Sequence, residues 1–499
     1  MAIITDLPNE LLESIALKLR TQYYSDAIFG NVLADFSLVC RAFYRVAFRY
    51  IHDDLDLSSM EQKRCTSKKI CDLLRQIQRN PERGYVVKTL SIGPWDPTEL
   101  SNKWSKMESF MKSYSFLKRT IENKALQEQD MKGLEDHPMS VLVAVLLYTL
   151  PKLVYIHLVL RSSKREGPLL TRWLLLAIDL APLPFRETMR GMELEYIELD
   201  GTGMVPCRTT LGALLELPNL ESVRFSCEDA DDTLLVGSRP EDPELSILQG
   251  MKQLASNEDP EATAPLSSVF LEAYGRFQSF DPFCKKKLLA IRNTSSITEF
   301  SFYNNPCSTL PIPDIIRVPK GLKDFDCFIG SRTRDSRENV QAVHQALLEH
   351  KDTLEYITMS YYKSFENRHN PNFQLDFSAF GRLESLQVSI ILLVDIDAHE
   401  IGMGDILPVN LENLAVKIRY PSFGGVRSWD EAVVGVITRI ARMKDEKLEK
   451  LKSVDVKVIN HPARASNSLN LKEARRMMDE RGIQFRATTY DPNRGTIDL

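Results

Sequence analysis

The sequence predicts an α/β protein in two parts: a small helical module over residues 1–52, then a long body over 53–488 built of strand–helix units lying side by side. Residues 489–499 read as a tail. Three observations carry this reading. Apolar residues in the first fifty positions recur at helical spacing; a short strand pattern with apolar residues at positions one, four and six recurs down the rest of the chain; and helix-period stretches fall between several of those strands. The 499 residues exceed the size at which a single core usually stops growing, which suits a large body with an appended module.

The module opens Leu7-Pro8-Asn9-Glu10-Leu11-Leu12 and continues to Ile15 and Leu19. Pro8 stands where proline is tolerated, at the entry to a helix. A second amphipathic segment is expected over 36–48, from Phe36, Leu38, Val39 and Cys40 to Phe43, Val46 and Phe48. Two or three short helices have too little core of their own and need a partner surface, from the next domain or from another protein.

Residues 5–50 resemble an F-box. The signature leucine and proline of that family fall on Leu7 and Pro8, its acidic helix start on Glu10, and its second apolar cluster on Leu38, Val39 and Cys40. The match departs between Leu19 and Phe36, where this chain is several residues longer. The resemblance implies docking on a Skp-type adaptor, and through it on a cullin–RING ligase, with Leu7, Pro8, Glu10, Leu11, Leu12, Ile15, Leu38, Val39 and Cys40 as the adaptor-binding residues. The competing reading is an ordinary N-terminal helical hairpin.

In the body, Asp53 to Leu57 is expected to form a first short strand, and 61–80 a helix with Ile70, Leu73, Leu74 and Ile77 on one face. Val87/Leu90/Ile92 is the first complete unit. Further units are read at Leu153/Ile156/Leu158, Leu194/Ile197/Leu199, Leu220/Val223/Phe225, Leu266/Val269/Leu271 and Ile297/Phe300/Phe302. The series goes on through Leu322/Phe325/Cys327, Leu354/Ile357/Met359, Leu383/Leu386/Val388, Leu411/Leu414/Val416 and Leu451/Val454/Val456. Each such strand cannot bury its inward side chains alone; stacked neighbours make one continuous core. Helices are expected over 338–350, 430–443 and 470–480.

This pattern resembles an irregular leucine-rich-repeat solenoid, and the whole chain resembles the F-box proteins of the divergent fungal type with such a body. Only the unit ending at Phe302 is followed three residues on by an asparagine, Asn305, so the family's asparagine ladder is not expected here. The competing reading is a non-repetitive α/β fold that matches three apolar positions by chance.

Two segments interrupt the units. Residues 99–137 are polar and charged, and 227–264 are acidic with prolines and glycines, so both read as insertions, the second mobile. The aspartates of the latter lack the spacing and turn glycine of a calcium loop. Val141 to Leu160 is nearly long enough to cross a bilayer, but Pro151 and Lys152 divide it, and a buried helix followed by a strand is expected instead.

Net charge is −5, which gives no support to nucleic-acid binding. Acidic Asp6 and Glu10 stand where a secretory signal would be basic, and the eight cysteines are scattered without a Cys-x-x-Cys pair. A reducing compartment, cytoplasmic or nuclear, is expected, with no membrane partner.

No phosphate-binding glycine loop, His-Glu-x-x-His motif or nucleophile elbow is found, so no catalytic, cofactor-binding or metal-binding residue is assigned. The function the resemblance implies is that of a non-catalytic substrate receptor in an SCF-type ubiquitin ligase, acting by holding a protein substrate close to the conjugating enzyme. The alternative is a leucine-rich-repeat scaffold that recruits no ligase. Strand alternation places the residue between positions four and six on the face away from the core. This gives an expected substrate-binding file of His157, Glu198, Arg224, Phe270, Ser301, Asp326, Thr358 and Gln387, richest around Thr358, Ser360, Tyr361 and Tyr362.

Overall fold

A computed structural model of the chain describes residues 7–23, 37–57, 67–93, 138–162, 185–198, 215, 217–229, 291–303, 312–330, 336–362, 374–394, 406–419, 426–459, 471–491 and 495–498. Of the stretches read above as insertions, 99–137 and all of 227–264 beyond residue 229 lie outside these residues, as does the unit at 266–271, while 227–229 are described and belong to a strand.

The N-terminal segment is a helical hairpin. Helix α1 (Asn9–Tyr23) starts after Pro8, whose carbonyl accepts from the amides of Leu11 and Leu12 at 3.0 and 3.2 Å. Helix α2 (Arg41–His52) starts after Cys40, which sits in extended backbone with its Sγ accepting from the Phe43 amide at 3.5 Å. Thiol sulfur is a weak acceptor, but it fills the N-cap position that an oxygen usually takes. The apolar run read as one segment over 36–48 is therefore split at Cys40, and Leu38 and Val39 belong to a separate helical turn ahead of α2. Leu12 and Ala16 from α1 meet Phe43 and Val46 from α2, spaced so that each pair stacks on one helix face.

Among the described residues the body is one sheet of thirteen strands in which every strand lies beside its neighbours in sequence. The first twelve run parallel: β1 (Asp54–Asp56), β2 (Thr89–Ile92), β3 (Tyr155–Ser162), β4 (Gly191–Glu198), β5 (Ser222–Asp229), β6 (Glu299–Tyr303), β7 (Asp324–Gly330), β8 (Tyr356–Tyr362), β9 (Ser385–Ser389), β10 (Asn413–Arg419), β11 (Ser453–Ile459) and β12 (Gln484–Asp491). The last, β13 (Gly495–Asp498), turns back antiparallel on β12, so 489–491 and 495–498, expected as part of a tail, are paired strand. A hydrogen-bonding edge is thus occupied by a short hairpin strand.

A parallel sheet needs each connection to bring the chain back to the same end. Here one backbone device does so repeatedly. The carbonyl just before a strand accepts from two successive amides at the start of the next: Asp53 O from Lys88 and Thr89, Lys88 O from Val154 and Tyr155, Val154 O from Arg190 and Gly191, and so on to Glu412 O from Lys452 and Ser453. The leucine at position one closes the turn ahead of its strand, as where the Leu220 amide donates to Leu217 O and the Leu451 amide to Leu448 O. Main-chain groups thus supply a ladder that asparagine side chains were not expected to provide.

One face of the sheet is buried. On β11, Val454, Val456 and Val458 are buried while Ser453, Asp455 and Lys457 between them are half-exposed. The same alternation holds the position-four and position-six residues of the other strands in one contiguous core. Phenylalanines fill its middle: Phe225 stacks on Phe302 with ring centres 5.3 Å apart, and Phe302 meets Phe325 at 6.0 Å. Against this face pack α3 (Ser67–Arg79), α5 (Pro138–Tyr148), α7 (Ser336–Leu347), α8 (Val426–Glu446) and α9 (Lys472–Glu480), with short α4 (Glu82–Val86) and α6 (Ile312–Ile316) between them. The apolar stretch that is almost long enough for a bilayer divides into α5 and β3; Leu142, Val143, Val145, Leu146 and Leu147 are all buried. Among the described residues no helix is long and apolar enough to cross a membrane.

One unit is placed differently from the sequence reading. In β4 it is Met192 and Leu194 that pair with Ile156 and Leu158, so the triplet is Met189/Met192/Leu194 and not Leu194/Ile197/Leu199. Met189 and Met192 are buried, and their unbranched side chains fill core positions that leucines fill elsewhere. The ladder also passes directly from β5 to β6.

The hairpin meets the body through α2, which runs straight into β1 and touches α4. At α4 the backbone comes so close to the loop after α5 that a Cβ on Gly84 would lie 2.3 Å from the Thr149 carbonyl oxygen, so only glycine fits.

Candidate interaction surfaces

Two surfaces stand out by what they leave uncovered. The first is on the hairpin. Leu38 is 82% exposed, Val39 63% and Leu11 51%, and Leu17 and Tyr44 are also exposed, so most of the large exposed apolar side chains among the described residues lie on this small module. Exposed apolar side chains in this number on so small a module make it a candidate for burial against a partner. Of the residues the sequence singled out, Leu11, Leu38, Val39, Pro8 and Glu10 are exposed, while Leu7, Ile15 and Cys40 are half-buried, Leu7 and Cys40 against the hairpin's own core. Leu12 is 1% exposed and packs inside that core, so it is not open to a partner. The sequence reading missed Leu17 and Tyr44. Both are apolar residues off the buried period of their helices, which is the mark that could have found them.

The second surface is the open face of the sheet. One row of this face runs through Ser91, His157, Glu193, Arg224, Ser301, Asp326, Thr358, Gln387, Ala415, Asp455 and Arg486 as successive partners across the strands, and of the expected file it holds His157, Arg224, Ser301, Asp326, Thr358 and Gln387. Glu193, not Glu198, stands beside His157, because the β4 unit begins five residues earlier than expected; Glu198 pairs instead with Ser162 and Asp229. Phe270 lies outside the described residues. Tyr361 is 5% exposed and belongs to the core, on the opposite side of its strand from Ser360, so it cannot be a contact residue on this face. Thr358 is half-buried on the open face, Ser360 is buried, and the side chain of Tyr362 is not among those described.

The polar groups of this face are tied to one another across strands. The Tyr155 hydroxyl donates to Glu193 Oε2 at 2.6 Å, and burial together with that carboxylate pushes the phenol's pKa up. Arg224 lies 3.7 Å from Glu193 and stacks over the Tyr303 ring, 5.5 Å from its centre. Asp326 is hydrogen-bonded to Tyr303; burial raises its pKa, against the pull of that bond and of Lys417 and Arg224. Lys417 reaches back from β10 to donate to Ser360 Oγ on β8 at 2.7 Å, and burial lowers its pKa. Asp324, half-buried in the row below, is pushed up to about 6 by burial and by the neighbouring carboxylates of Glu299 and Asp326.

Cys40, Cys71 and Cys327 are not in disulfides, and burial raises the pKa of Cys71, which packs in the core. Among the described residues no three His, Cys, Asp or Glu side chains are placed to hold a metal ion. Comparison with protein-family models, curated proteins and solved structures gives no match for this chain.

Proposed function

We propose that this chain is a substrate receptor of an SCF-type ubiquitin ligase: an F-box hairpin that docks on a Skp-type adaptor, carrying a leucine-rich-repeat-like body that holds a protein substrate. The observation that carries the reading is the exposure of Leu11, Leu38 and Val39 on a hairpin whose sequence resembles an F-box. Leu12 and Ala16 seal the hairpin's own core against Phe43 and Val46, so the exposed residues are spare for a partner.

The division of labour follows from the chemistry. Exposed apolar side chains suit a permanent subunit, which can bury them on assembly. A polar face of interlinked tyrosines, acids and bases suits selective recognition, since buried polar groups punish a mismatched partner. No proton need be taken or given by this chain, because the receptor's contribution is the high local concentration of substrate at the conjugating enzyme. Reconstitution tests the reading. The purified chain mixed with a Skp-type adaptor and a cullin–RING pair should elute as one complex; separate elution of chain and adaptor at micromolar concentration would leave the scaffold reading in its place.

A further inference from the structure

On the open face of the sheet one cation site is already filled by the chain itself. The Arg224 guanidinium lies over the Tyr303 ring with the Glu193 carboxylate 3.7 Å away, so a ring from one strand and an acid from another hold a cation between them. The same ingredients recur two strands further on. Glu299, Asp324 and Tyr356 are successive partners on β6, β7 and β8, and their side chains stand on the same face. Glu299 is exposed, Asp324 half-buried, and the Tyr356 ring is 45% exposed, one of the few large exposed rings outside the hairpin. Among the described residues no basic side chain pairs with Glu299 or Asp324; Lys323, next in the chain, pairs with Glu355 at 3.5 Å.

We infer that the row Glu299–Asp324–Tyr356 receives an arginine of a protein partner, in the way that Glu193 and Tyr303 receive Arg224. The sheet face there has no covering element among the described residues, and its charge selects the occupant. Two carboxylates held side by side repel one another and favour a cation between them. A tyrosine ring one strand away favours a planar guanidinium, which stacks as well as pairs. Burial and like charge raise Asp324's proton affinity in the free protein, a cost that a bound cation removes. The inference names the substrate class for the proposed receptor, and rests on that reading only for what happens to the partner once held.

The test uses the intact chain and a random peptide library, panned against the wild type and against the Glu299→Gln/Asp324→Asn pair, which keeps side-chain shape and removes both charges. A third protein, Tyr356→Ala, removes the ring. Arginine-bearing peptides should be enriched on the wild type and bind roughly tenfold or more weakly to the charge-neutral pair, with an intermediate loss for Tyr356→Ala. Enrichment of acidic or purely apolar peptides, enrichment of no arginine-bearing sequence, or equal binding of arginine peptides by all three proteins would overturn the inference. Adaptor binding is titrated on the same proteins. Arginine selection without adaptor binding would break the ligase reading and leave this inference standing; adaptor binding without arginine selection would do the reverse.

Discussion

The hairpin and the sheet solve opposite problems with the same amino-acid types. On the hairpin, Leu38, Val39 and Leu11 are exposed and only a few residues make a core. On the sheet, leucines at equivalent steps of strand after strand are buried, and what faces solvent is polar. The difference comes from stacking. A strand flanked by two others and backed by helices has its apolar face covered from three sides, whereas a two-helix hairpin can cover only one face of each helix. The leucines of the body's strand units are therefore core, whereas on the module Leu12 alone is sealed in and Leu11, Leu17 and Leu38 stay exposed. Mutation can separate the two regions.

The largest effect is expected in the body. Phe302→Ala removes the ring that stacks on Phe225 and touches Phe325, and such a truncation should cost about 3–5 kcal/mol. Urea unfolding should show it as a large fall in midpoint, while adaptor binding by the protein that remains folded is unchanged. Tyr361→Ala belongs to the same class, since the ring is in the core: it should cost about 3 kcal/mol or more in stability, where a contact residue on the open face would have cost almost none. An unchanged midpoint for Tyr361→Ala would move that ring out of the core.

These outcomes bear on how much of the fold could be read from the chain. The strands were legible because position one of each unit closes a turn and positions four and six face a continuous core, as at Leu354, Ile357 and Met359. β4 was misplaced because methionines fill its core positions while leucines and an isoleucine follow them, and leucine spacing alone cannot tell a register from its neighbour. The helices α7, α8 and α9 were legible from their period. The contact surfaces were legible only in part. Strand alternation found the row through Arg224 and Asp326, but side chains that reach across strands, as Lys417 does to Ser360, depend on geometry that no local pattern encodes. On the hairpin, spacing could not tell that Leu12 turns inward while Leu11 beside it stays out.

Smaller effects probe the open face. Asp324 has a pKa near 6 against an ordinary 3.8, so the folded protein holds a proton there that the unfolded chain has lost between about pH 4 and pH 6. Stability must fall as pH rises through that window, and the cost is fully present above it. Asp324→Asn removes the ionisation; it should unfold at a higher temperature than the wild type at pH 7.5, and the gain should shrink towards zero near pH 4. A gain of the same size at both pH values would show that the carboxylate's charge is not what costs stability. The side chain is only half-buried, so solvent screening keeps the effect modest. Smaller still is Lys457→Gln, which removes a partly exposed ion pair with Asp455 at 3.6 Å and should change stability by no more than about 0.5 kcal/mol in urea unfolding.

The central claim is that the hairpin's exposed apolar residues form a docking surface independent of the body. Calorimetric titration of a Skp-type adaptor into the wild type and into a Leu11→Ala/Leu38→Ala/Val39→Ala variant tests it most directly. Anchors truncated at a buried interface commonly cost about 2 kcal/mol each. The variant should therefore bind at least about a hundredfold more weakly, with its unfolding midpoint unchanged. Wild-type affinity in the folded variant, or no binding by the wild type at all, would contradict the account.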